Sequence, residues 1–128
     1  MPLFHIKTNA ALDLTPRAAI VCGYVLARWT ELGLGSFVLT ATKEPRQSGL
    51  HPTGDAFDLR TRQFFSSGKH DPKILDFRLQ MRNELRPFGV DVVLHPEDDA
   101  LGKEKPPHFH FEVDEKPAEG RILMDDVP

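Results

Sequence analysis

The chain has 128 residues and a formal net charge of −3 at pH 7. This length suits a single domain spanning residues 1–128, and a content of 40% hydrophobic and 27% charged residues is typical of a soluble globular protein with one core. With 16 Lys and Arg against 19 Asp and Glu, the composition gives no electrostatic reason to expect a nucleic acid or a membrane as partner. The single cysteine, Cys22, excludes an internal disulfide and a zinc site built from cysteines, and its apolar neighbours predict a buried thiol.

The first predicted element is a helix over about residues 15–33. Asp13 or Thr15 can cap its N-terminus, and Pro16 suits its first turn. Its apolar residues nearly encircle the helix, so we expect a wide buried face formed by Ala18, Ile20, Val21, Val25, Leu26, Trp29 and Leu32.

The rest of the chain predicts one more helix and four strands. The second helix is expected over about residues 71–86. Apolar, β-branched or alternating segments predict strands over residues 36–42, 55–60, 90–95 and 108–113. Polar segments predict loops over residues 43–52, 61–70 and 96–107. The order of these elements predicts an α+β fold in which a small, mostly antiparallel sheet packs against two helices.

The longest apolar stretch, Ala18–Ala27, has ten residues, about half of what a membrane-spanning helix requires. The stretch starts too far into the chain for a secretory signal, and neither a basic leader nor a small-residue cleavage site accompanies it. We therefore expect a protein that is made and folded in the cytoplasm.

The segment 106–113 predicts a strand with one chemical face. Alternation places His108, His110 and Glu112 on one side, spaced about 6.6 Å apart, while the residues between them point into the core. Two imidazoles and a carboxylate in a row can bind a metal or move protons. The same alternation also fits an edge strand whose polar side is simply solvated.

The segment 48–60 carries a second group of polar residues. Gly54 allows the chain to turn tightly between His51 in the predicted loop and Asp58 in the predicted strand. Asp58 can alternatively pair with Arg60 or cap a turn. Taken with the 106–113 segment, two histidines and one carboxylate form a standard ligand set for catalytic zinc, which leaves the fourth coordination position to water.

The two segments together resemble the motifs of a zinc-peptidase family that includes D-alanyl-D-alanine carboxypeptidases, phage L-alanyl-D-glutamate endolysins and murein endopeptidases. The hedgehog signalling domain shares the fold of that family. The resemblance covers about residues 36–113, and it rests on Ser48, His51, Gly54, Ala56, Asp58, His108 and His110. It implies a hedgehog/DD-peptidase-like fold.

The resemblance also implies roles for individual residues. His51, Asp58 and His110 match the ligands of Zn²⁺, and His108 matches the general base of the family branch with a His-x-His motif. Other branches place a glutamate three residues before the last histidine, where this chain has Pro107. Arg46 is the nearest match to an arginine that holds substrate or the oxyanion.

His95 stands where compact relatives often have an acidic residue. It either supports the base, orients a metal ligand or lies at the surface, and Glu97 is a second candidate for the same role.

The function implied is that of a zinc-dependent peptidase. Metal-activated water would cleave amide bonds next to D-amino acids in peptidoglycan peptides or related small peptides. Such a protein is either a phage-encoded enzyme released to the cell wall or a cytoplasmic dipeptidase. The alternatives are a non-catalytic zinc-binding interaction domain on the same fold and a metal-free domain. The cleaved bond and the oligomeric state stay open.

Overall fold

The computed structural model describes residues 4–6, 14–41, 55–98 and 106–113. These residues form an α+β fold in which two helices accompany a small, mostly antiparallel sheet, and this confirms the predicted fold class. The predicted loop over residues 43–52 lies outside the described residues, and so does most of the loop predicted over 96–107.

Each helix begins at a side-chain cap followed by a proline. Helix α1 spans Pro16–Glu31, and the Thr15 hydroxyl accepts a hydrogen bond of 3.3 Å from the backbone N–H of Ala18. Helix α2 spans Pro72–Leu85, and the Asp71 carboxylate accepts one of 2.9 Å from the N–H of Lys73. Proline suits the first turn because it lacks only an N–H that has no partner within the helix. Both helices therefore begin where the sequence predicts.

The described strands form one main sheet and one small hairpin. Their bounds are β1 Phe4–Ile6, β2 Phe37–Ala41, β3 Ala56–Arg60, β4 Phe65–Ser66, β5 Lys69–His70, β6 Val90–His95 and β7 His108–Val113. The main sheet has the order β1-β2-β3-β7-β6, in which only the β1–β2 pair is parallel. Strands β4 and β5 pair by themselves. Strand β1 was not predicted from the sequence, and a loop was predicted where the β4–β5 hairpin forms.

The core lies between the helices and one face of the sheet. Trp29 of α1 is fully buried and meets Phe37 and Phe77 edge-on, with ring centroids 6.0 and 5.3 Å away. The apolar face of β7, formed by Phe109, Phe111 and Val113, is buried as its alternation predicts. The opposite face of the sheet is consequently left for polar side chains.

Helix α1 has a narrower buried face than its composition suggests. Ile20 and Leu32 are each 47% exposed, so the expectation that these two residues belong to the buried face was wrong. Cys22 is buried as expected, and burial raises the pKa of its thiol to about 11, which keeps the thiol neutral.

Among the described residues, no helix has the length and hydropathy needed to cross a membrane.

Candidate metal and catalytic site

The candidate site lies on the polar face of the sheet, where β3, β7 and β6 run side by side. Antiparallel pairing places Asp58 of β3 directly opposite His110 of β7, and His95 of β6 directly opposite His108. On the other face, Phe57 stacks on Phe111 with centroids 5.0 Å apart. Side chains alternate between the two faces along each strand. The same β3–β7 register therefore buries the aromatic residues on one face and brings the polar residues together on the other.

His110 lies between two carboxylates. Its Nδ1 is 2.8 Å from Oδ1 of Asp58, and its Nε2 is 3.2 Å from Oε1 of Glu112. The side chains of Asp58, His110 and Glu112 are only 13%, 20% and 25% exposed, so these contacts are partly shielded from water. A role for Asp58 in capping a turn or in pairing with Arg60 does not explain its contact with His110, which joins strands β3 and β7.

The ring of His108 has a defined orientation. Its Nδ1–H donates a hydrogen bond of 2.6 Å to the carbonyl oxygen of Pro106. In a neutral imidazole the other nitrogen then carries a lone pair. That Nε2 is 3.9 Å from Oδ2 of Asp58, too far for a hydrogen bond, and the side chain is 17% exposed. His108 therefore turns Nε2 toward the side where Asp58 and His110 meet, and in the neutral ring this nitrogen is the one with the lone pair.

His95 packs against the base candidate. The His95 and His108 rings are stacked with centroids 4.7 Å apart and an interplanar angle of 28°. This contact fits one of the three roles expected for His95, namely the support of His108. Stacking restricts rotation of the His108 ring without using either of its nitrogens.

Glu97, the second candidate for that role, points elsewhere. Its carboxylate accepts two hydrogen bonds from His70, one of 2.7 Å from Nδ1–H and one of 3.1 Å from the backbone N–H. The His70 ring is fully buried and its Nε2 lies 2.6 Å from the hydroxyl of Thr61. His70 belongs to the segment predicted as a polar loop, yet it is buried, because a buried hydroxyl and a carboxylate supply the partners that a buried imidazole needs.

Burial favours the neutral form of His70. It lowers the pKa of His70, an effect that Glu97 opposes and Arg78 adds to. Neutral His70 donates from Nδ1 to Glu97 and accepts at Nε2 from Thr61, so each of its polar atoms has a partner.

Two predicted site residues, His51 and Arg46, lie outside the described residues. The structure therefore brings together Asp58, His110, His108 and His95 and leaves the third predicted zinc ligand and the predicted oxyanion arginine without a described position. Within the described ranges, no group of three or more His, Cys, Asp or Glu side chains is arranged to hold a metal ion.

The two described residues of the three predicted zinc ligands have the chemistry that zinc requires. A carboxylate oxygen and an imidazole nitrogen are common zinc donors, and those of Asp58 and His110 face each other. The second nitrogen of His110 has Glu112 as its partner, and metal-binding histidines are commonly oriented by such a carboxylate. The residues thus fit a zinc site to which His51 would contribute.

Arg60 is a basic residue at this site to which the sequence analysis gave no active role. It lies directly opposite His108 in the β3–β7 pair and is half-buried. The strand alternation that groups it with Asp58 is the signal that identifies it.

Comparisons of the chain with protein-family models, curated proteins and solved structures found no match.

Proposed function

We propose that the protein is a zinc-dependent peptidase that hydrolyses amide bonds next to D-amino acids in peptidoglycan peptides or related small peptides. The observation that carries this proposal is the contact between Asp58 and His110, with Nε2 of His108 turned toward the same carboxylate. The substrate class comes from the motif resemblance, which also implies a hedgehog/DD-peptidase-like fold.

In this proposal His51, Asp58 and His110 hold Zn²⁺. The bound metal supplies Lewis-acid chemistry and lowers the pKa of water toward neutrality. Glu112 accepts a hydrogen bond from Nε2–H of His110. Nδ1 of that ring, which lies 2.8 Å from Oδ1 of Asp58, would give up its proton when it holds the metal. The Glu112 carboxylate also keeps the imidazole from rotating away.

His108 acts as the general base and then as the general acid. Its Nε2 accepts a proton from the attacking water and returns it to the leaving amine. The hydrogen bond from Nδ1–H to Pro106 holds the tautomer in which Nε2 is free to accept, and this bond strengthens when the ring becomes positively charged. Stacking by His95 keeps the ring plane in place.

Arg60 extends the site by one positive charge. Its position opposite His108 supports a role in holding a substrate carboxylate or the developing oxyanion. The resemblance assigns that role to Arg46, so both arginines are candidates for it.

The orientation of His108 favours catalysis over the alternative, a non-catalytic zinc-binding interaction domain. A site retained only for metal binding has no need of a base that faces the ligands. In this chain Nε2 of His108 faces Asp58, while Nδ1 is occupied by a backbone carbonyl.

The test combines metal analysis with hydrolysis of defined peptides. Zinc-loaded and chelator-stripped protein is incubated with N-acyl-L-Lys-D-Ala-D-Ala and with its all-L isomer, and the products are identified by mass spectrometry. We expect cleavage of the D-peptide alone, loss of cleavage on stripping and recovery with zinc. Asp58→Asn should abolish cleavage, whereas Asp76→Asn, at an exposed carboxylate of α2, should leave it unchanged.

Two outcomes would reject the proposal in different ways. One bound zinc per chain with no hydrolysis of any peptide would support the interaction domain instead. Absence of stoichiometric zinc would reject both. Free D-Ala-D-Ala and cross-linked muropeptides are included as further substrates, because cleavage of the dipeptide points to a cytoplasmic dipeptidase and cleavage of muropeptides points to a wall enzyme released by a phage.

A further inference from the structure

We propose that His70, together with Thr61 and Glu97, is a positioning residue for His108. It holds the segment that enters β7 and thereby selects the tautomer of the His108 ring. His70 is in neither motif of the resemblance, and its role follows from a continuous series of contacts across the described residues.

The first contacts fix Thr61 at the end of β3. The His70 imidazole lies between Oε2 of Glu97 at 2.7 Å and the Thr61 hydroxyl at 2.6 Å. Thr61 is fully buried and His70 is 3% exposed. Because a buried hydroxyl without a partner is costly, the imidazole determines where Thr61 can sit.

The next contact joins Thr61 to the segment before β7. The backbone N–H of Thr61 donates to the carbonyl of Pro107 at 3.1 Å. Pro106 and Pro107 have no N–H of their own, so this two-residue segment can be held through hydrogen bonds only at its carbonyl oxygens. Thr61 binds one of these carbonyls, and the other belongs to Pro106.

The Pro106 carbonyl is the acceptor that orients His108. It accepts the 2.6 Å hydrogen bond from Nδ1–H of that ring. If Thr61 shifts, the Pro106–Pro107 segment loses an anchor, and Nδ1–H of His108 loses a fixed acceptor. A neutral imidazole in that situation populates both tautomers, including the one that blocks Nε2 with a proton.

The expected effect on turnover rests on the proposed function, whereas the positioning of His108 by His70 does not. The tautomer of His108 can be measured in metal-free protein with no substrate present. The failure of one proposal is therefore distinguishable from the failure of the other.

The experiment uses the full chain labelled with ¹⁵N-histidine and measures the ring nitrogens of His108 by NMR at pH 8. The variants are His70→Phe, which removes both side-chain hydrogen bonds, and Thr61→Val, which removes only the hydroxyl. His70→Gln is the conservative variant, since its amide can still accept from Thr61. Thr30→Val, at an exposed threonine of α1, is the matched control.

We expect the Nδ1–H tautomer to dominate in the wild type and in Thr30→Val. In His70→Phe and Thr61→Val the two tautomers should be mixed, and His70→Gln should restore most of the wild-type signal. With the zinc-loaded protein and the D-peptide, kcat should fall by up to about 10²-fold in Thr61→Val, with little change in KM or zinc content.

Folded variants that melt at lower temperature but keep the wild-type His108 tautomer would overturn the proposal and leave His70 a structural residue only. If His70→Phe fails to fold, Thr61→Val decides, because valine matches threonine in shape and keeps the backbone N–H. A tautomer shift in a protein without peptidase activity would retain the positioning role and reject the proposed function.

Discussion

Glu112→Gln should weaken zinc binding without removing it. Glu112 lies 3.2 Å from Nε2 of His110, and the two side chains are 25% and 20% exposed. Glutamine keeps an acceptor of the same shape but loses the negative charge. Hydrogen bonds to charged groups contribute about 1.5–3 kcal/mol, roughly twice the neutral value, so the charge accounts for about 1.5 kcal/mol here. That free energy corresponds to about tenfold in the zinc dissociation constant.

The assay is a competition titration of chelator-stripped protein with a zinc-binding dye at fixed pH. Glu31→Gln is the matched control, since Glu31 is 60% exposed on α1 and lies outside the site. The control should bind zinc like the wild type. A dissociation constant for Glu112→Gln within twofold of the wild type would refute the view that Glu112 supports His110 as a ligand.

Three further predictions concern the base, the buried histidine and the core. His108→Ala should retain one zinc per chain while kcat for the D-peptide falls roughly 10²–10⁴-fold; unchanged turnover in a zinc-replete sample would remove His108 from that role. Because burial lowers the pKa of His70, the unfolded chain binds more protons than the folded one below about pH 6.5, and the contribution of His70 to stability is lost as the pH falls. Urea unfolding should accordingly show a destabilisation by His70→Gln that is larger at pH 8 than at pH 5; a difference that grows in acid would contradict this sign. Phe109→Ala should cost about 3–5 kcal/mol of unfolding free energy in urea denaturation, since the ring is fully buried; a cost under about 1 kcal/mol would contradict the packing.

Local patterns in the sequence predict most of the described elements. The Thr15-Pro16 and Asp71-Pro72 pairs predict both helix starts, since each cap accepts a hydrogen bond from the first turn. The alternation of residues 108–113 predicts which side chains face the core and which face the site. These features depend on neighbours within a few residues, which a sequence displays directly.

Features that depend on distant residues are not visible in the same way. The pairing of Asp58 with His110 joins positions 52 residues apart, and no local pattern specifies that register. The His70 side chain lies in a polar segment, and its burial depends on Thr61 and on Glu97, which is 27 residues further along. The three-residue strand β1 is too short to show a periodicity.

The central claim is that Asp58 and His110, with His51, bind a single zinc ion and that His108 does not. Isothermal titration of zinc into chelator-stripped protein tests this most directly. We expect one site per chain in the wild type and in His108→Gln, and loss of that site in Asp58→Asn and in His110→Gln. Stoichiometric zinc binding of wild-type affinity in either of the last two variants would contradict it.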